Sequence, residues 1–363
     1  MNRHPLVKKA LGAAALVASA SLLGAPPAAA PAKIGFVYVG PVGNAGWTFQ
    51  HDVARRQMEK DLGGKVTTSF VENVPEGADS ERVIREMARS GCKVVFCTSF
   101  GYMNPTLAVA KAYPGTVFMH ATGYKTAPNV GVYNARFYEA RYLCGVMAGR
   151  LTKTHTAGIV AAFPIPEVVM GINAFTRGMR SVDPKAKVKV IWTNSWFDPG
   201  KEREAALTLI TQGADMMTHD TDSTAVIQAA EEKGIGVFGY NSDEAQFGPK
   251  ATLTSLVHLW GDYYTKTVKA ALAGTWKSEN VWGGFNKGMI ALAPFGPKVP
   301  KELGASILKL RDRISAGTFH PFAGPVVDQA GTVRVPAGKN ISDEDLDKMN
   351  YYVEGVDGVM PKA

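Results

Sequence analysis

The sequence predicts an α/β protein built as two doubly wound parallel-sheet lobes joined by a hinge. Three observations carry this. Between Ile34 and His120, short apolar runs alternate with helical stripes across short connections, in the order β-α-β-α-β-α-β expected of a parallel sheet. From His155 to Tyr240 the same order begins again without obvious sequence identity. The loops that follow the strands gather aromatic and amide side chains, where open α/β sheets take ligands.

In chain order, Ile34–Val39 is a β-branched and aromatic run that reads as a buried strand. Gly40, Pro41, Gly43 and Gly46 break it, and a helix starts near Trp47 with Phe49, Val53, Ala54, Met58 and Leu62 as its core stripe. Trp47 and His51 fall one turn apart on another face, and His51 is expected at the surface. Strands are expected at Lys65–Val71, Lys93–Cys97 and Val117–His120. Asp79 or Ser80 is placed to cap the helix carrying Val83, Ile84 and Met87. Val130–Tyr133 is a short extended piece and Glu139–Leu151 a helix rich in small residues. The second series runs through strands at His155–Ala161, Val188–Trp192, Ala214–His219 and Gly236–Tyr240, with helices between them. After a strand from Thr252 and a helix to Ala273, the chain reads as an irregular tail with one helix, Leu303–Ala316. The expected organisation is a leader at 1–32, an N-terminal lobe at 33–135 joined by a crossover segment from about 250–280, a C-terminal lobe at 136–250, and a segment at 281–363 completing the lobes.

Arg3, Lys8 and Lys9 followed by the apolar stretch Ala10–Ala25 read as an export signal, cleaved near Ala30–Lys33. Alanine stands where a lipoprotein cleavage box requires cysteine, so a free periplasmic protein is expected. The formal charge is +8; without the three leader cations it is +5, spread along the chain with no run of five basic residues, so no nucleic-acid patch is expected. Cys92, Cys97 and Cys144 are an odd set. An extended run from Cys92 to Cys97 spans roughly 16 Å, too far for a bridge, so free buried thiols are expected. The seven histidines do not cluster at metal-ligand spacing, and neither a metal nor a cofactor is expected. Gly234, Gly236 and Gly239 spell G-x-G-x-x-G, but after a helix and into a strand, the reverse of the dinucleotide context.

Two α/β lobes on an exported chain suggest a hinged binding protein with its ligand between the lobes. The candidate ligand contacts are Asn44, Trp47, Phe100, Tyr102, Phe163, Trp196, Phe197, Asp222, Asn241, Asp243 and His258. Rings with amide and carboxylate partners suit a flat, neutral heterocycle. Asp220 and Asp222 could instead cap the helix expected from Ser223.

The leader, GNAGWTFQHD, SERVIREMARSGCKVVF, the WFDPGKE loop and the GYNSDE turn resemble the basic membrane protein family, the substrate-binding proteins of ABC importers, over roughly Lys33–Ala273. The resemblance implies a periplasmic-binding-protein type I-like fold, a membrane permease as partner, and a purine nucleobase or nucleoside as cargo. A branch of the family is similar to flavin binders, which leaves a flavin or other aromatic heterocycle as the alternative. Many members open with an aspartate and, three residues on, a phenylalanine that stacks on the base; here those positions hold Asn44 and Trp47. Asn241 stands where nucleoside binders carry an aspartate for the ribose, and His258 where a lysine is common. These departures favour a free base such as adenine. The expectation is a monomeric carrier rather than an enzyme, a nucleoside-cleaving enzyme being the competing class.

Overall fold

The computed structural model describes Met1 and residues 30–361. The leader at 2–29, and with it the export signal, lies outside the described residues.

The first lobe starts with β1 (Ala32–Val37), α1 (Gly46–Leu62), β2 (Val66–Val71), α2 (Ala78–Arg89), β3 (Val94–Cys97), α3 (Met103–Ala112), β4 (Val117–Ala121) and β5 (Val130–Ala135). The chain then crosses into α4 (Phe137–Leu151), β6 (Thr156–Ala161), α5 (Pro166–Val182), β7 (Lys187–Trp192), α6 (Pro199–Thr211), β8 (Met216–His219), α7 (Ala225–Lys233), β9 (Gly236–Gly239) and β10 (Thr252–His258). It returns for α8 (Gly261–Leu272) and β11 (Asn280–Gly283), and crosses again for β12 (Ile290–Leu292), α9 (Lys301–Ser315), β13 (Val326–Val327), β14 (Val333–Val335), α10 (Asp343–Leu346) and β15 (Val356–Asp357).

The first sheet is parallel throughout, in the order β11-β5-β4-β3-β1-β2. The second runs β12-β10-β9-β8-β6-β7-β15, with only β12 antiparallel. Their central strands are apolar on both faces because helices cover both, as parallel sheets require. Phe36, Val94 and Phe96 pack under α1 and α8, while Val37, Val95 and Phe118 meet α2 and α3. In the second lobe α4 and α5 lie on one face and α6 and α7 on the other. Gly145 and Gly178 let α4 and α5 approach closely: a Cβ on either would strike the other helix's backbone.

Three expectations are corrected. The crossover segment begins at Gly261, since β10 lies in the second sheet. The tail is not irregular: Phe322, Leu346, Met349 and Tyr352 enter the second lobe's core, and β15 extends its sheet. Asn173, Arg177 and Arg180 on α5 hold that tail through Tyr351 O, Ala323 O and Glu354. Finally, α2 starts at Ala78, and neither Asp79 nor Ser80 caps it. The three cysteines are buried and free, and no helix of the described residues is long and apolar enough to cross a membrane.

Candidate functional site

A cleft of about 390 Å³ lies between the lobes, and every residue lining it follows a strand's carboxyl end. In each sheet the order reverses beside the first strand, between β1 and β3 and between β6 and β8. The loops there splay apart and leave room for a ligand. The first lobe supplies Val39 and Trp47 after β1, Ser99 and Phe100 after β3, and Thr122 after β4. The second supplies Ile165, Glu167 and Val168 after β6, Trp196 after β7, Asp220 and Asp222 after β8, and Tyr240 and Asn241 after β9. Thr122 and Asn241 hold left-handed backbone, φ 61° and 68°, which a β-branched residue like Thr122 rarely adopts outside a strained site.

The lobes touch at the start of α1. The Gly46 N–H donates to Ser242 Oγ (3.1 Å) and the Trp47 N–H to Asp222 Oδ1 (3.2 Å). Gly46 must be glycine here: its φ is 92°, and a Cβ would run into the Asp222 backbone. The Trp47 indole is fixed by its own N–H, which donates to Thr98 O at 2.6 Å.

Behind Trp47 lies a nest of buried rings. His51 stacks on Trp260 (5.3 Å, 4°), and its Nδ1 meets Tyr264 Oη at 2.5 Å. His51 is therefore not at the surface, because α8 returns from the far end of the chain to cover that face of α1. Phe49 and Val53, placed on the core stripe from sequence, are only partly buried. Burial holds the His51 imidazole down at about 3. His258 stacks on Phe137 (4.2 Å) and meets Trp47 edge-on (5.5 Å), with its pKa well below the ordinary histidine value through burial and then the neighbouring His51.

The second lobe's wall is a carboxylate network. Arg141, on α4, donates to Thr218 Oγ1 (2.5 Å), His219 O (2.5 Å) and Asp220 Oδ1, and lies 4.0 Å from the centre of the Tyr240 ring. Tyr240 Oη donates to Glu167 Oε1 (2.6 Å). Asp222 Oδ1 also accepts from Asn241 Nδ2 (3.1 Å). Burial, reinforced by Glu202, pushes the Asp222 carboxyl up to about 8, and burial pushes Glu167 up to about 7. Glu202 accepts from Thr221 (2.8 Å) and Ser223 (2.6 Å), which pins the loop carrying Asp220 and Asp222. Neither aspartate caps a helix: α7 begins at Ala225, and Thr224 precedes it.

Of the residues expected at the ligand, Trp47, Phe100, Trp196, Asp222 and Asn241 share this cleft. Six do not line it. Asn44 is exposed, and Phe197 is 42% exposed. Asp243 is exposed and accepts from the Ala245 N–H instead. Tyr102 is buried in the first lobe's core, donating to Val74 O (2.5 Å). Phe163 packs on Trp196 from outside (5.1 Å), and His258 sits behind Trp47. Missed from sequence were Glu167, Tyr240 and Thr122, all at strand or helix ends facing the cleft, together with Arg141. Arg141 had a signal: it is a cation one turn into a helix rich in apolar and small residues. Among the described residues, no three His, Cys, Asp or Glu side chains converge as a metal site.

Residues 32–316 match the family described as PnrA-like ABC transporter substrate-binding proteins, Bmp. A purine-binding protein of Brucella abortus is 50% identical over 348 residues, covering 96% of this chain and 99% of its own. A candidate ABC transporter glucose-binding protein of Haloferax volcanii is 39% identical, covering 93% and 83%. The crystal structure of an ABC transporter solute-binding protein from Aeropyrum pernix superposes with a TM-score of 0.70 at 16% identity, covering 88% and 96%, which speaks for the fold alone. The two lobes with a cleft at the strand ends, and the length of the match, place this chain in the Bmp family of PnrA-like ABC transporter substrate-binding proteins.

Proposed function

We propose that this chain binds a purine, an adenine-like nucleobase or its nucleoside, between its lobes and delivers it to a membrane permease. The observation that carries this is the make-up of the cleft: rings from both lobes, Trp47 and Phe100 on one side and Trp196 and Tyr240 on the other, around edge groups that hydrogen-bond. The Brucella abortus relative, itself named a purine-binding protein, supports it. Asn241, an amide where a ribose-binding carboxylate is common, favours the free base.

Binding closes the lobes because a ring gripped from both sides gains contacts that the open form lacks. The protein works as a monomer in the periplasm after its leader is removed, and it turns nothing over. No histidine lines the cleft, and Glu167 and Asp222 each accept a hydrogen bond from a neighbouring side chain.

Thermal unfolding against adenine, guanine, hypoxanthine, their nucleosides, riboflavin and glucose tests this. A purine at a hundred times its Kd should stabilise the protein by about 2.7 kcal/mol. A rise in melting temperature with glucose or riboflavin and with no purine overturns the proposal. Incubation with adenosine and inosine should release no free base; steady release identifies an enzyme instead.

A further inference from the structure

The cleft's side chains have spent nearly all their hydrogens on the protein itself. Ser99 Oγ donates to Glu76 Oε1 (2.5 Å), Thr122 Oγ1 to Ala121 O (2.8 Å), Tyr240 Oη to Glu167, and the Trp47 indole to Thr98 O. What these hydroxyls have left are lone pairs, which only accept.

Three buried side-chain atoms lining the cleft have no partner: Asp220 Oδ2, Asn241 Oδ1 and Trp196 Nε1. All belong to the second lobe. Their roles are fixed by the bonds their neighbouring atoms make. Burial raises the Asp220 carboxyl and the Arg141 guanidinium opposes that rise; it is the ion pair on Oδ1 that holds the charge there and leaves Oδ2 to accept. The Asn241 amide nitrogen donates one hydrogen to Asp222, which turns its unpartnered oxygen to the cleft. Trp196 can only donate. Asp222 and Glu167 can each carry a proton on the free oxygen, so they suit either kind of ligand and decide nothing.

We propose that this cleft selects purines by their amino groups. Asp220 Oδ2 and Asn241 Oδ1 accept from an exocyclic amine, and Trp196 Nε1 donates to a ring nitrogen. This rests on the purine reading above. A 6-amino or 2,6-diamino purine supplies the hydrogens that the second lobe lacks. An oxo group in the same place sets a carbonyl oxygen against a carboxylate oxygen, and a methyl leaves buried acceptors unpaired. Sites built around hydrogen bonds discriminate strongly against such analogues.

The test is a competition assay on the full protein with adenine, 2,6-diaminopurine, 6-methylpurine and xanthine. The two amino compounds should bind roughly 10²-fold or more tighter than 6-methylpurine and xanthine. If 6-methylpurine or xanthine binds as tightly as adenine, amino selection is wrong while the purine reading stands. If none of the four binds and no purine nucleoside raises the melting temperature, the purine reading itself falls. Asn241→Gly, tolerated at φ 68°, should narrow the gap between adenine and 6-methylpurine without unfolding the protein. A gap unchanged in that variant removes Asn241 from the selection.

Discussion

The two walls of the cleft are built from the same kind of sheet yet do different work. The first lobe offers rings and spent hydroxyls, with Trp47 locked by one hydrogen bond and backed by other rings. The second buries three carboxyls, Glu167, Asp220 and Asp222, with Arg141 paired to Asp220, and keeps polar atoms free. A flat surface can hold any ring of the right size, because stacking asks little of the ring's edge. Charges and amides in a dry wall must be matched, because an unmatched one forfeits its hydration. On the proposed reading, the first wall sets affinity for a class and the second sets identity within it.

Removing the cation breaks the second wall most severely. Arg141→Ala leaves Asp220 buried without its partner and should destabilise the fold by about 3–5 kcal/mol, read by denaturant unfolding. A loss below 1 kcal/mol would mean that the network is not the framework of that wall. Trp47→Ala attacks the first wall and should weaken ligand binding by about 1–3 kcal/mol, taking base stacking as the guide; unchanged affinity in titration calorimetry would show that the ring does not touch the ligand. Gly46→Ala tests the seam where the walls meet. Its left-handed φ and the Asp222 backbone oppose a Cβ, so closure and affinity should suffer by about 1 kcal/mol or more.

The pH dependence sharpens the contrast further. The Asp222 carboxyl is raised to about 8 in the fold, so the native form binds its proton more tightly than the unfolded chain does. Its contribution to stability is full below the ordinary carboxylate pKa and is lost as pH rises toward about 8. Asp222→Asn should flatten that part of the stability profile, measured from denaturant midpoints across the range; parallel profiles for the two proteins would refute the assignment. The smallest effect belongs to the rim. Asp243→Ala removes an exposed carboxylate that touches only the Ala245 N–H, and it should change ligand affinity by no more than about 0.5 kcal/mol.

Much of this was legible in the chain. The apolar runs of β1, β3, β6 and β8 identified themselves because both faces of a parallel strand are buried, so no alternation is needed to recognise them. Trp47, Phe100, Trp196, Asp222 and Asn241 were found because each follows a strand by a few residues, and strand ends are where the fold leaves space. The same rule overreached at Tyr102, Phe197 and Asp243. These also follow strands, but loop geometry turns the first into the core and the other two to solvent. Asp220 was visible but ambiguous, because an aspartate before a helix can equally cap it. The helix starts at Ala225, two residues later than expected, with Thr224 in the capping position.

The sequence by itself determined the alternation of strands and helices, the two-lobed plan and the kind of chemistry at the strand ends, since period and residue type are local properties. Only the tertiary structure decided that His51 is buried, because the helix that covers it lies more than 200 residues away. Only it decided which cleft atoms still have a hydrogen or a lone pair to offer. That depends on partners such as Glu76, Arg141 and Glu167, which the fold alone brings within reach.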